Sequence, residues 1–326
     1  MRAIVHDTYG PADVLRLARI ARRSTSEVAA NEVLIRVHAA GLDRGAWHVM
    51  TGRPYLIRLG FGIRRPKNPV PGREVAGTVV AVGSAVTRFA EGDEVFGIGE
   101  GCFAEYTVAR EDKLVRKPAS ISFEQAAVVP ISGLTALQGL RDVGRVEQGQ
   151  QVLITGASGG VGSYAVQLAK AYGAEVTGVC GTSTMDLVRS LGADHVLDYT
   201  RDDFADGVHR YDLILDMAGN PTLSRLRRAL APAGTAVIGG GEKAGGKLLG
   251  GVDRPLRASA LSLFVRQRLT MFIATERAAH LERLVEFIEA GTVTPTIGRT
   301  YSLDQVPEAM RHLEAGKTRG KLAIAI

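Results

Sequence analysis

The chain has 326 residues, 45% hydrophobic and 23% charged, which excludes a disordered chain and leaves room for two domains, each with its own core. Its formal charge of +6 and isoelectric point near 9.4 come from Lys and Arg spread among Asp and Glu, so no nucleic-acid footprint is expected. Cys102 and Cys180 are too few for a disulfide framework or a four-thiolate zinc site, and a reducing cytoplasm is the expected compartment.

Residues 1–10 read as a strand and a turn, without the basic-then-apolar layout of a secretory signal, and no apolar run is long enough to span a bilayer. Short β-type runs follow at 33–40, 74–82, 93–96, 103–108 and 113–116, broken by glycines such as Gly72, Gly77, Gly83 and Gly92. With the opening strand at 3–6, this spacing predicts a small barrel. Between the runs at 33–40 and 74–82 lies the densest basic stretch, with Arg53, Arg58, Arg64, Arg65 and Lys67. It reads as a loop near an anionic ligand or as a solvated surface.

From residue 121 the pattern changes. Helical spacing at 123–129 and 133–140 leads into strand 151–155, helix 160–172, strand 175–179, helix 185–191 and strand 195–197. Strand 212–217, helix 221–230 and strand 235–239 continue the series. Such alternation predicts a parallel sheet covered by helices on both faces. A glycine-rich loop follows over 239–251, then amphipathic helices at 276–290 and 303–314 and a closing strand at 321–326.

The strongest local signal is QVLITGASGGVGSYAVQLAKAYGAEV, residues 151–176: strand, glycine-rich turn, helix and second strand in succession. That is a dinucleotide-binding arrangement, in which Ala157, Gly159 and Gly162 fill the three G-x-G-x-x-G positions. The second glycine lets backbone approach a pyrophosphate, the third lets the helix pack on the strand, and N–H groups at the helix start meet the phosphates. An acid about 20 positions on would bind a ribose 2′-hydroxyl and select NAD. Here the strand end reads Val179, Cys180, Gly181, Thr182, Ser183, which favours NADPH over NADH; Arg189 is a remote candidate for a phosphate clamp.

Residues 71–97, the ASGGVG turn at 157–162, SLGADHVLDYT at 190–200 and the ending at 301–326 together resemble the medium-chain dehydrogenase/reductase superfamily, in its zeta-crystallin-like quinone oxidoreductase branch. The resemblance covers essentially the whole chain. It implies an α/β protein with a GroES-like β-barrel catalytic domain over 1–120 and 291–326, and a Rossmann doubly wound parallel-sheet domain over 121–290. It further implies pyrophosphate contacts at Ser158, Gly159, Gly160 and Val161, and adenosine ribose contacts at Gly181 and Tyr199, next to the Thr182 and Ser183 hydroxyls that the strand end offers a 2′-phosphate. Thr135, Asn220, Gly239 and Gly240 would line the nicotinamide end, and homodimers would form through edge strands.

The zinc-dependent alcohol dehydrogenases of this superfamily take one ligand from a Cys in the first barrel motif and one from the His of a Gly-His-Glu motif. In this sequence Asp43 falls where that Cys would be, and Arg73 where the His would be. A cation cannot ligate zinc, so no metal is expected. What remains is hydride transfer from NADPH to an acceptor that stabilises negative charge itself, a quinone or an α,β-unsaturated carbonyl compound. A zinc-free alcohol or aldehyde oxidoreductase and a non-catalytic NADPH-binding protein are the alternatives.

His48 matches the place where relatives carry a Tyr or Lys facing the nicotinamide. It reads either as a proton donor or substrate partner, or as a structural histidine beside Trp47. Asp43 is expected to cap a turn, and both cysteines to be inert.

Overall fold

The structure, a computed structural model, describes residues 1–239, 253–262 and 265–326. It divides into two units: Met1–Leu134, Thr275–Ala290 and Pro295–Ile326 form one, and Thr135–Ala274 with Gly291–Thr294 the other.

The first unit is built on the strand Glu32–Leu42. On one edge it pairs antiparallel with Glu74–Val82. On the other it takes two partners in turn, Tyr106–Arg110 along its first half and Lys321–Ala325 along its second. Register shifts at Leu34/Ile35 and Val37/Ala39 are bulges, which bend a strand and curl the sheet around its contents. The path continues through Glu94–Ile98 and Leu114–Arg116 at one end and Ile297–Ser302 at the other. Alternate side chains point inward, and Val33, Ile35, Val75, Val79, Val95, Phe103, Leu322 and Ile324 form a single apolar core.

The second unit is a six-stranded, all-parallel sheet in the order His195–Asp198, Glu175–Cys180, Gln151–Thr155, Tyr211–Asp216, Leu230–Ile238, Arg268–Thr270. Counted along the chain this is 3-2-1-4-5-6, with the order reversing between Gln151–Thr155 and Tyr211–Asp216, where ligands bind in such sheets.

Two segments expected in the nucleotide unit, 121–134 and 275–290, fall in the first unit. The helix Phe123–Ala127 opens on a capping box from Ser122 and Gln125 and lies against Glu32–Leu42 and Glu74–Val82. The second helix, expected over 133–140, starts earlier, at Pro130, which suits the first helical position because it has no N–H to leave unpaired. The amphipathic helix, observed as Ala278–Glu289, turns Leu281, Leu284 and Ile288 inward, and its Glu282 pairs with Arg88 at 2.5 Å. Helical periodicity marks an apolar face without saying which sheet it covers. No described helix is long and apolar enough to cross a membrane.

Candidate functional site

The strand Gln151–Thr155 is buried at Val152, Leu153 and Ile154, and the chain leaves it through Gly156 at φ +68. The left-handed residue of the turn is therefore Gly156, one position ahead of the expected fingerprint. Ala157 needs no such freedom: its methyl is fully buried beside Gly178, where a side chain would crowd both Ala157 and Val188. A Cβ on Gly162 would collide with the Gly156 carbonyl oxygen, so that glycine is a packing requirement.

Gly159 differs. It caps the 12-residue helix Gly160–Ala171 in extended conformation, φ −83 and ψ −179, without a side-chain cap. A Cβ there would meet nothing nearer than the Gly156 oxygen at 3.3 Å. The fold alone does not demand glycine at this position, yet its bareness keeps the helix N-terminus open to an anion. Ser158, Gly159, Gly160 and Val161 are all partly exposed, and the first amides of the helix have no intrahelical acceptor. The residues present fit a dinucleotide pyrophosphate.

The other expected contacts follow the neighbouring strands. Gly181, Thr182 and Ser183 come directly after Glu175–Cys180, Tyr199 after His195–Asp198, Asn220 shortly after Tyr211–Asp216, and Gly239 after Leu230–Ile238. All lie beyond the carboxyl ends of adjacent parallel strands. Tyr199 is 68% exposed, and its ring would stand 3.4 Å from a Cβ on Gly181. Gly240 lies outside the described residues. Thr135 is half-buried on the helix Pro130–Gln138 rather than at a strand end.

Two carboxylates at these strand ends escaped the sequence reading. Asp198 stands in register with Cys180 on the next strand, so an acid does border the loop that lacked one in sequence. Thr182 donates its hydroxyl to Asp198, so the hydroxyl expected to face a 2′-phosphate is already engaged. Asp198 also accepts from Thr200 N–H at 3.0 Å and hydroxyl at 2.8 Å, and the Thr182 bond with these others holds its carboxyl below the usual range. Arg201 Nε lies 4.0 Å from it, on a side chain 76% exposed. Arg189 instead pairs with Asp186 on its own helix.

Asp216 is the second, fully buried at the point where strand order reverses. It accepts from the Thr155 hydroxyl at 2.5 Å, Gly219 N–H at 3.2 Å and Arg254 at 2.5 Å. Arg254 also donates to the Pro221 carbonyl at 2.7 Å. This cluster fixes the turn that carries Asn220.

In the first unit, Asp43 caps the helix Arg44–Thr51, accepting from Ala46 N–H at 3.0 Å, as expected of it. That helix carries Trp47 and His48, whose rings meet edge to face at 5.1 Å. His48 Nδ1 lies 2.5 Å from the Arg53 carbonyl oxygen. A carbonyl only accepts, so Nδ1 holds the proton, and a neutral His48 then carries its lone pair on Nε2. Only as imidazolium does Nε2 donate.

Arg73, at the position of a zinc ligand in metal-dependent relatives, pairs with Glu276 at 2.6 Å, and Lys113 reaches the same oxygen at 3.1 Å. Both cations line a cavity of about 320 Å³ whose apolar wall includes Val49, Phe61, Val70 and Pro71. Both cysteines are buried. Burial pushes the Cys102 thiol up to about 12 and also raises Cys180, so neither is a nucleophile at neutral pH.

Residues 29–119 match the family described as "Alcohol dehydrogenase GroES-like domain", and residues 191–324 the family described as "Zinc-binding dehydrogenase". The chain is 32% identical to 2-methylene-furan-3-one reductase of Solanum lycopersicum, covering 99% of this chain and 79% of that one. It is 33% identical to the chloroplastic quinone-oxidoreductase QR1 of Triphysaria versicolor, over 99% and 98% of the two chains. Among solved structures, the Escherichia coli quinone oxidoreductase complexed with NADPH superposes with a TM-score of 0.84 at 26% identity, over the whole of both chains.

Proposed function

The chain belongs to the medium-chain dehydrogenase/reductase superfamily, alongside its quinone oxidoreductases and enone reductases, and from that premise we propose that it reduces a quinone or an α,β-unsaturated carbonyl compound with NADPH and without zinc. The observation that carries this reading is Gly159, a glycine the fold does not need, placed where its bareness exposes a helix N-terminus to a phosphate.

When bound, NADPH supplies the hydride that the acceptor takes up. The chain's own residues hold and orient it. Ser158 to Val161 meet the pyrophosphate with main-chain amides, Gly181 and Tyr199 give the adenosine a flat floor, and Asn220 and Gly239 serve the nicotinamide end, with Gly240 and Thr135 carried over from the family pattern. Arg201, exposed beside Tyr199 and offsetting the charge of Asp198, is the cation we assign to the 2′-phosphate in place of Arg189.

Metal independence rests on donor chemistry. Arg73 is a cation engaged with Glu276, and Asp43 spends one oxygen on a helix cap. His48 in its cationic form gives a proton from Nε2 to the reduced acceptor. A homodimer through the sheet edge at Arg268–Thr270, last in its strand order, and a cytoplasmic location, supported by two free buried cysteines, complete the reading.

Loss of NADPH absorbance on adding quinones, enones or alcohols, each in turn, tests it. Turnover confined to alcohols and aldehydes would replace it with the alcohol oxidoreductase alternative, and binding without turnover of any of them with a nucleotide-binding protein.

A further inference from the structure

We infer that residues 53–67 dock this protein on an anionic lipid bilayer. The described chain exposes ten large hydrophobic side chains, and five of them, Tyr55, Leu56, Leu59, Phe61 and Ile63, fall within nine consecutive positions. Single exposed apolar residues need no explanation, whereas a contiguous set marks a surface that meets something. Leu59 and Ile63 are 71% and 69% exposed.

The same stretch exposes Arg53, Arg64, Arg65 and Lys67, and the sequence holds no Asp or Glu between Asp43 and Glu74. Cations and apolar side chains therefore share one acid-free stretch of chain.

Local structure holds these side chains outward. A 3₁₀ turn, Tyr55–Ile57, runs into a single helical turn, Arg58–Phe61, which ends at Gly62 with φ +119. Tyr9 donates its hydroxyl to the Gly62 carbonyl at 2.6 Å, and Lys67 N–H donates to Phe61 O at 2.8 Å. Arg58 is turned inward: it donates to Gly52 O at 2.9 Å and stacks on Tyr9 and Tyr55. The base of the loop is pinned while its tip stays out.

The occupant follows from chemistry. A second copy joined about a two-fold axis would set these cations against themselves. A nucleic acid would take up the cations but offers little to aliphatic Leu59 and Ile63. A bilayer with anionic headgroups accepts both, apolar tips at the acyl boundary and cations at the headgroups. Phe61, Pro66 and Lys67 also line the 320 Å³ cavity, so a lipophilic acceptor dissolved in the bilayer would lie close to it. That last link alone rests on the proposed reaction.

The test is sedimentation of the full chain with vesicles of phosphatidylcholine alone or mixed with phosphatidylglycerol. Binding is expected to the mixed vesicles only and to weaken as salt screens the cations. L59S/I63S is expected to bind at least about tenfold more weakly, and R64S/R65S to lose about fivefold per cation. Both should keep the wild-type melting temperature and turnover of a water-soluble short-chain quinone. No sedimentation with anionic vesicles at low salt, or undiminished binding by L59S/I63S, would overturn the inference. So would self-association abolished in L59S/I63S without vesicle binding, which would give the patch to a second copy. Vesicle binding by a chain that turns over no acceptor would leave docking intact and sink the proposed reaction instead.

Discussion

Lys321 and Glu74, 247 positions apart in sequence, form an ion pair from which water is excluded, with side chains 2% and 0% exposed. Glu74 also accepts the Ile131 N–H at 2.8 Å. A side chain on Gly41 would collide with Glu74 and with the Ala127 carbonyl. The closing strand, the central strand and the start of the helix Pro130–Gln138 thus converge on one carboxylate, the residue directly after Arg73.

Burial pushes this carboxyl up to about 7 from an ordinary value of 4.5, with Lys321 pulling the other way. The folded state therefore holds the Glu74 proton to higher pH than the unfolded chain does. The resulting stabilisation is complete below about pH 4.5 and is lost as pH rises through about 7, on the order of 1–3 kcal/mol. Glu74→Gln cannot titrate, so the wild type should lose stability relative to it between these values. Thermal melts of both proteins across that range check this, and parallel curves would refute it.

Gly159 and Gly162 stand three positions apart, yet their replacement is expected to fail for opposite reasons. Gly162→Ala drives a methyl into the Gly156 carbonyl and should cost roughly 2 kcal/mol or more of stability. Gly159→Val brings its Cβ to a tight 3.3 Å from the Gly156 oxygen and gives up a favourable helix cap, so it should lose only about 1 kcal/mol of stability while losing NADPH binding by at least about 100-fold. Calorimetric melts combined with fluorescence titration separate the two effects. A Gly159→Val protein that binds NADPH normally would remove the cofactor site from this helix.

The contrast shows what a sequence can carry. Alternation of strands and helices over 151–239 follows local periodicity, so the parallel sheet and the glycine turn were legible, as was the cap at Asp43. Asp198 was not, because its approach to Thr182 is made by the register that sets it opposite Cys180, and register is a property of the sheet. The same holds for Asp216 and Arg254, 38 positions apart. The helix Arg44–Thr51 was missed because its Gly, Trp, His and Thr give a weak helical signal; its cap and the left-handed Gly52 define it.

Arg201→Ala should raise the dissociation constant for NADPH about tenfold and leave that for NADH nearly unchanged, since the side chain would serve only the extra phosphate. Its neighbour Asp198 would then repel that phosphate without a compensating cation. Titration of both dinucleotides against wild type and variant gives the ratio directly. Equal weakening of both would show a general effect on the Tyr199 turn and take the 2′-phosphate away from Arg201.

The His48 ring is fixed by its Nδ1 proton on the Arg53 carbonyl, which restricts how it can act. As a neutral ring it has only an acceptor at Nε2; as a cation it can donate there. If it protonates the reduced acceptor, its removal must slow that proton transfer. His48→Gln keeps a polar side chain of similar reach but has no acidic ring N–H. It should lower kcat on the order of 100-fold and leave KM within about threefold. A purely structural histidine predicts the reverse: a lowered melting temperature with kcat intact. Steady-state kinetics with an enone, which takes hydride at its β-carbon and must then gain a proton at its α-carbon, decide between them.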